Sequence, residues 1–286
     1  MLLTLRKDIY ASLALLFLFM QGIVSQSLRQ PASAIYLGLG AYSTQHSDVF
    51  SFVNNQAALA QTKKAVAGVY NERRFLVAAT TMYSAAIAVP SPLGNFGVDL
   101  TYAGFKNFNE YQAGLAYARS LGAAVDIGMQ FNYYGYRVPG YSNASAVNFE
   151  LGAIIHLTKQ LNAGIHVYNP VGGKFSTTGE QLSAAYTLGL GYDASKQFFV
   201  SAEIVKQEDE PVNINAGIEY RFMKQFFARG GISSATSAVY GGVGVSWKNL
   251  RLDVSGSYHL QLGWSPGVLL LYDFGGEDDK AAVGPE

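Results

Sequence analysis

The residues of this sequence with the greatest capacity for chemistry are its four histidines, His46, His156, His166 and His259. The best candidates for a nucleophile beside one of them are Ser255 and Ser257, which precede His259 at alternate positions. Alternate residues of a strand lie roughly 6 to 7 Å apart on one face. That distance is too long for the hydrogen-bonded Ser–His pair of a nucleophilic enzyme. The chain also contains no cysteine, which removes thiol catalysis, cysteine-ligated zinc and disulfides. We expect no enzyme activity, no metal site and no cofactor.

A pair of opposite charges forms the next group of interest, because a predicted hairpin places the two side chains face to face. If Met223 to Gln225 form a three-residue turn, Glu219 lies opposite Arg229 on the neighbouring strand. Buried charges need partners, so the pair is predicted to neutralise charge in an enclosed interior. A role in binding a ligand is the alternative.

A second hairpin brings a carboxylate close to a histidine. A turn at residues 158–160 places Glu150 opposite Tyr168 and diagonal to His166. His156 lies two same-face residue pairs away from His166 along this hairpin, which is too far for the two histidines to share a metal. The sequence therefore predicts a lumenal polar network that consists of Glu150, His166, Glu219 and Arg229.

The elements that must position these side chains are strands. From Val147 to Leu157, and again from Leu161 to Val167, every second residue is apolar, while those between are mostly polar or glycine. A period of two indicates a β-strand whose two faces meet different surroundings. The pattern recurs along most of the chain. It predicts fourteen strands, at residues 64–73, 76–89, 93–104, 110–119, 122–136, 145–157, 161–170, 182–193, 197–206, 211–222, 225–233, 238–247, 250–259 and 266–274.

The composition indicates which solvent the apolar faces meet. Charged residues make up 14% of the chain, against about 25% in a typical soluble domain. The 20 basic and 20 acidic residues give a formal net charge of zero, so no nucleic-acid partner is expected. We expect the exterior to contact outer-membrane lipid. A soluble all-β barrel or sandwich is the alternative, but its surface would need more charge.

A sheet in lipid must close on itself, because an open edge would leave backbone N–H and C=O groups unpaired in hydrocarbon. The sequence therefore predicts an all-β fold, a closed antiparallel transmembrane β-barrel of about 14 strands. Leu151, Ile155 and Ile165 are expected to face lipid, whereas Glu150 and His166 face a polar lumen. Aromatic residues near the turns are expected to form interfacial girdles, namely Tyr192, Phe198, Tyr220, Phe222, Phe226, Trp247, Tyr272 and Phe274.

The ends of the chain indicate export and set the predicted boundaries. Arg6 and Lys7 precede an apolar run from Ile9 to Met20, a pattern typical of a cleavable signal peptide. The connections are predicted to alternate between short turns and longer links such as Phe105 to Asn109 and Leu260 to Ser265, a parity that predicts a periplasmic C-terminus. The predicted regions are a signal peptide (1–25), an N-terminal plug or periplasmic segment (26–62), a transmembrane barrel (63–275) and a disordered periplasmic tail (276–286).

The segment before the first strand, residues 37–61, has a glycine-rich opening, a polar linker and a stretch predicted to form a helical turn capped by Asp48 or Asn54. A motif closes this segment. In the FadL-like outer-membrane barrels such a segment ends in Asn-Pro-Ala-Ala/Gly-Leu before fourteen strands. Here Gln56 stands where the family has proline, and the motif is matched by Asn55, Ala57, Ala58 and Leu59.

The chain thus resembles the FadL-like family, which includes the PorV and PorQ branch associated with type IX secretion in Bacteroidota. The resemblance implies that the N-terminal segment plugs the barrel mouth. FadL-type members pass hydrophobic molecules, whereas PorV-type members receive secreted cargo. We interpret the chain as a secretion-associated scaffold or cargo-receiving protein with secretion-system partners, and FadL-like transport of a hydrophobic ligand is the alternative. Short outer loops favour the scaffold, as does crowding of the lumen by Tyr134, Tyr168, Phe199 and Phe227.

Overall fold

The structure, a computed structural model, describes residues 40–140, 143–177, 179, 181–208, 210–235 and 238–275. The predicted signal peptide and the predicted C-terminal tail lie outside the described residues. Helices are short: α1 spans Ser51–Asn54, and 3-10 helices span Gln56–Gln61, Arg74–Leu76 and Ala78–Thr80. Among the described residues, no helix has the length and apolarity that crossing a membrane would require.

The described chain forms one closed barrel in which each strand pairs antiparallel with the next and the first pairs with the last. All fourteen predicted strands are confirmed. Their bounds are β1 Val66–Arg73, β2 Thr81–Val89, β3 Asn95–Phe105, β4 Phe108–Leu121, β5 Val125–Arg137, β6 Ala144–His156, β7 Leu161–Tyr168, β8 Ala185–Asp193, β9 Phe198–Gln207, β10 Asn213–Arg221, β11 Phe226–Ser233, β12 Ala238–Trp247, β13 Leu250–His259 and β14 Gly263–Asp273.

The largest difference from the predicted bounds is at β2, which begins at Thr81 and not at residue 76. The residues before it form two 3-10 turns. Phe75 and Leu76 adopt positive φ values of 54° and 58°, which takes the backbone out of the extended region. Apolar residues at alternate positions are therefore not sufficient for a strand where the backbone turns.

The two faces of the wall differ as the alternation predicts. Leu151, Ile155 and Ile165 are exposed on the outside, whereas Glu150 and His166 are buried inside. Large apolar side chains cover the exterior along all strands, and continuous backbone pairing leaves no open edge between described strands. Such a surface is suited to hydrocarbon. The predicted girdle aromatics that are exposed on this exterior are Tyr192, Tyr220, Phe222, Phe226, Trp247, Tyr272 and Phe274.

The barrel has two ends, which we call the near end and the far end. The near end receives the N-terminal segment (residues 40–64) and carries the last residues of β14. The far end carries the loops that follow the odd-numbered strands, and the longest of these joins β7 to β8 over residues 169–184.

Two links predicted to be long are short, so this part of the prediction is wrong. β3 and β4 stay paired up to Phe105 and Phe108, and Gly104 there has φ +114°, a conformation that suits glycine. β13 and β14 stay paired up to His259 and Gly263. The His259 Nδ1 atom accepts hydrogen bonds from two backbone N–H groups of the intervening turn, at 3.1 and 3.2 Å.

Candidate functional site

The lumen contains the N-terminal segment, and the wall is shaped to receive it. Tyr42 lies against three wall glycines, Gly164, Gly189 and Gly191, and a Cβ atom at any of them would collide with it. Its hydroxyl donates a hydrogen bond to Glu203 Oε2 at 3.1 Å. Burial raises the pKa of this hydroxyl well above its ordinary value, and the charge of Glu203 adds to the rise. Tyr42 therefore stays protonated and remains the donor.

Asp193, at the near end of β8, receives the next part of the segment. The Ser43 hydroxyl donates to Asp193 Oδ1 at 2.5 Å, and the Thr44 backbone N–H donates to Asp193 Oδ2 at 3.2 Å. The Thr44 hydroxyl adds a third contact at 3.3 Å. These donors satisfy a fully buried carboxylate, as burial requires.

Glu219 is the meeting point of the segment and the charged part of the wall. His46 Nδ1 lies 2.7 Å from Glu219 Oε1, and the His46 ring stacks on Phe199 with centroids 5.5 Å apart. Arg229 Nε donates to Glu219 Oε2 at 2.6 Å, and Arg221 Nε donates to Oε1 at 2.9 Å. The hairpin register predicted for Glu219 and Arg229 is the one observed.

The same cluster includes a second ion-pair chain that the sequence interpretation missed. Arg251 contacts Asp48 of the segment at 3.3 Å and Asp253 at 2.6 Å. The Arg229 and Arg251 guanidinium carbons lie 4.8 and 4.7 Å from the Phe227 ring centroid, within cation–π range. Strand phase could have placed Arg251 and Asp253 in the lumen, but nothing in the sequence indicates that Asp48 docks there.

A second polar cluster, which we call the amide cluster, surrounds Glu150. Glu150 Oε2 accepts from Gln56 Nε2 at 2.7 Å and lies 2.8 Å from His166 Nε2. Glu150 Oε1 accepts from Asn132 Nδ2 at 2.6 Å. The structure therefore places Glu150 and His166 together, as it places Glu219 and Arg229 together, but in two separate clusters. The remaining members of the amide cluster are Asp99, Gln130 and Asn148.

The motif residues lie directly on the wall. The Asn55 side chain accepts from Ala57 N at 3.1 Å and donates to Ile165 O at 3.2 Å, so Asn55 caps the 3-10 helix and ties it to β7. Of the two predicted caps, Asp48 accepts from the Phe50 N–H at 2.9 Å in the turn that leads into α1, but neither it nor Asn54 is the residue directly before the helix. The residue before α1 is Phe50, without a side-chain capping bond.

Small residues at this motif allow the close approach. The backbone of Gln56 lies over Gly128, where a Cβ atom would collide with it. Ala57 and Ala58 pack on Ile154. Leu59 lies in a larger apolar cluster between segment and wall that also includes Val49, Phe50, Phe52, Tyr70, Met82, Leu269 and Leu271. Burial of each large side chain of this kind contributes about 1.5–3 kcal/mol.

The two strand histidines serve different carboxylates, so they do not form a joint site. His156 Nε2 lies 2.8 Å from Asp126 Oδ2, which Gln61 of the segment also contacts. His166 pairs with Glu150 as described above. Within the ranges that the structure describes, no group of three or more His, Asp or Glu side chains is arranged to bind a metal ion.

The far half of the lumen is covered by the β7–β8 loop. Phe175 and Leu182 of this loop are buried against Tyr134, Ala144 and Ala146. Asn169 stabilises the loop because its side chain donates to the Leu182 carbonyl at 2.5 Å and accepts from the Gly173 backbone at 2.7 Å. Both ends of the lumen therefore carry an internal cover.

The exterior has an apolar cleft across β14, β1, β2, β3 and β4, with a cavity volume of about 640 Å³. A smaller cavity of about 380 Å³ adjoins it and shares Val69, Ala85, Leu100 and Leu270. The cleft forms where the small Ala85 and Ala113 side chains lie between larger neighbours. Sequence reasoning missed it because the lining depends on the register of five strands.

The buried Asp48 carboxyl is expected to make the stability of the fold dependent on pH. Burial raises its pKa, and the charges of Arg251 and Arg229 offset part of the rise, while Asp253 adds to it. A raised folded-state pKa stabilises the fold at low pH, and the stabilisation is lost as pH rises through that value. Asp48→Asn cannot titrate. We therefore expect its unfolding free energy to increase relative to the wild type as pH rises above the ordinary carboxyl value of about 3.9.

The measurement is the urea unfolding midpoint of both proteins in detergent from pH 4 to pH 8. The difference between the two curves cancels the titration of all other groups. A difference that stays constant over this range would show that the buried carboxyl does not make the stability of the fold dependent on pH.

Solved structures with this architecture are numerous, although their sequences are distant. No family model matches the chain, and no curated protein is significantly similar to it in sequence. A FadL homologue from Pseudomonas aeruginosa superposes with a TM-score of 0.63 at 11% identity, covering 84% of this chain and 96% of that one.

Two further solved structures superpose on this chain to a similar extent. The toluene transporter TbuX of Ralstonia pickettii has a TM-score of 0.62 at 13% identity, covering 86% of this chain and 98% of its own. The toluene transporter TodX of Pseudomonas putida has a TM-score of 0.62 at 11% identity, covering 85% and 97%. The class of protein is therefore a closed fourteen-stranded antiparallel barrel with a FadL-like fold.

Proposed function

We propose that this protein is an outer-membrane barrel that passes small hydrophobic molecules across the outer membrane of a Gram-negative bacterium. The observation that carries the proposal is a FadL-like barrel whose lumen is filled by its own N-terminal segment. Structures of this fold include two toluene transporters. The membrane lipid is then the first partner, and a hydrophobic solute is the second.

The interior of the barrel disfavours polar solutes, and its exterior offers a surface for an apolar solute. The lumen is crowded by the segment at the near end and by the β7–β8 loop at the far end. Polar solutes therefore have no wide aqueous channel of the kind that larger porins provide. The outer cleft of about 640 Å³ is apolar and lies within the usual size range of small-molecule sites. We assign the hydrophobic solute to this cleft.

Filling the cleft should block uptake. Ala85 lines both parts of the cleft, so Ala85→Trp is expected to lower uptake of labelled toluene by about tenfold, equivalent to about 1.4 kcal/mol of lost binding. The assay uses a Gram-negative host that lacks its own transporters for hydrophobic molecules, with labelled oleate as a second probe. Ala153→Trp is the matched control, because Ala153 lies on the outer face of β6 and outside the lining of the cleft.

Uptake no greater than that of cells without the protein would reject transport as the function. Equal loss in the two tryptophan variants would instead place the solute path elsewhere. Heat-modifiable gel migration must show that both variants are folded barrels.

A secretion-associated scaffold of the PorV and PorQ type is the second candidate. The observation that favours it is the crowded lumen, in which Tyr134, Tyr168, Phe199 and Phe227 are all buried. This candidate predicts no solute flux and co-purification of secretion-system proteins from native membranes. It also requires the far-end loops to face the cell exterior and the C-terminus to face the periplasm, which protease access to intact cells tests.

A further inference from the structure

The amide cluster contains buried oxygens that no donor in the described residues satisfies. They are Asp99 Oδ2, Gln130 Oε1 and Gln56 Oε1, and each of these residues is at least 99% buried. A buried polar atom without a partner costs free energy. All three atoms are acceptors, so a group that binds here must supply positive charge or hydrogen-bond donors.

Flipping the Gln130 or Gln56 amide group does not give the unpartnered oxygens a better environment. Gln130 Nε2 donates to Asp99 Oδ1 at 2.7 Å and to Asn132 Oδ1 at 2.8 Å, so both of its N–H bonds are used. Gln56 Nε2 donates to Glu150 Oε2 at 2.7 Å. Flipping either amide would set its oxygen against a carboxylate oxygen. The neighbouring acceptors therefore fix the direction in which the unpartnered amide oxygens point.

The charges around the cluster are unbalanced. Glu150 pairs with His166, and among the described residues no Lys or Arg side chain forms an ion pair with Asp99 or Glu150. The arginine-rich cluster around Phe227 instead neutralises Glu219, Asp253 and Asp48. The amide cluster thus holds two buried carboxyl groups, Asp99 and Glu150, without a Lys or Arg partner among the described residues.

The wall leaves room for this arrangement at one glycine. Gly114 is a residue of β4, the strand between β3 and β5. A Cβ atom at this position would collide with Asp99 Oδ1 and Gln130 Nε2 and approach Asn132 Oδ1 to 2.9 Å. The three polar side chains meet over this glycine. Gln56 connects them, through Glu150, to the N-terminal segment.

We propose that the amide cluster binds a hard cation, such as Na⁺ or Ca²⁺, through Asp99 Oδ2 and Gln130 Oε1, with Gln56 Oε1 as a contribution from the segment. Carboxylate and amide oxygens suit such ions, whereas zinc prefers nitrogen and sulfur ligands. The bound cation fastens the segment to the wall at the residue where the family motif has proline. This proposal does not rest on the proposed transport function. Occupancy of the site can be measured without any flux assay.

The test measures the purified, folded full-length barrel in detergent. Isothermal titration with CaCl₂ or NaCl, with choline chloride as the large-cation control, should show saturable binding, and the thermal unfolding midpoint should rise with the same ion. Asp99→Asn keeps the shape and removes the charge, so its cation affinity is expected to fall by at least about tenfold. Gln56→Ala should weaken binding less, because it removes one neutral oxygen.

Glu203→Gln is the matched control. Glu203 is also a buried lumenal carboxylate, but its two oxygens accept from Tyr42 and Asn215 at 3.1 and 2.8 Å. This variant should bind the ion as the wild type does. Two results would overturn the proposal. One is wild-type protein without saturable binding of either ion. The other is an Asp99→Asn variant that is more stable than the wild type, with an unfolding midpoint that changes with salt in neither protein. That result would mean that Asp99 carries a proton.

Discussion

Replacing Arg229 with methionine is expected to lower the free energy of unfolding by about 3–5 kcal/mol, the usual cost of breaking a buried ion pair by removing one partner. The Arg229 side chain is only 3% exposed and contacts Glu219 at 2.6 Å and Asp253 at 3.4 Å. Methionine fills similar space but leaves two buried carboxylates with less positive charge. The measurement is urea unfolding of the reconstituted barrel, followed by tryptophan fluorescence and gel mobility.

Arg221→Met is the matched control, since Arg221 binds the same carboxylate at 2.9 Å but has a 33% exposed side chain. Solvent screens this pair, so its loss is expected to cost about 1 kcal/mol or less. Equal losses in the two variants would show that burial does not set the strength of the cluster. A loss of under about 1 kcal/mol for Arg229→Met would mean that water enters this part of the lumen.

Much of the fold follows from one periodicity. Alternation located all fourteen strands, and the tight turn at residues 223–225 placed Glu219 opposite Arg229. Both inferences use local properties of the chain: side-chain direction alternates along a strand, and turn length sets hairpin register. Loop lengths were less predictable. Gly104 and His259 stabilise tight turns in two connections that were predicted to be long links.

The site was less accessible to sequence reasoning because it depends on contacts between distant parts of the chain. Glu150 and His166 come from one hairpin, and their contact follows from its register. The partner of Glu150 from the segment, Gln56, lies 94 positions earlier. No local pattern indicates that contact. Gln56 stands where the FadL-like motif that the segment resembles has proline, and only the structure shows that its side chain binds the wall.

Gly128→Ala should release the N-terminal segment from the wall, which is the second large effect expected. A Cβ atom at Gly128 would collide with the Gln56 carbonyl group and with the Ala57 nitrogen. These are backbone atoms, which cannot rotate away as a flexible side chain would. Overpacking of this kind costs about 1–3 kcal/mol, and 1.4 kcal/mol corresponds to about tenfold in the docking equilibrium.

The chain has no cysteine, so a single Ala58→Cys substitution reports on the segment without background labelling. Ala58 is buried, and an impermeant maleimide should label this position about tenfold faster when Gly128→Ala is also present. Ion conductance in planar bilayers should rise together with the labelling rate, because the displaced segment no longer fills the near half of the lumen.

Gly230→Ala is the matched control, since its Cβ atom would meet only the Tyr240 carbonyl oxygen at 3.6 Å. If Gly128→Ala leaves both labelling and conductance unchanged, the segment does not depend on Gly128 for docking, and closure of the lumen must rest on the ion pairs and hydrogen bonds of Tyr42, His46 and Asp48.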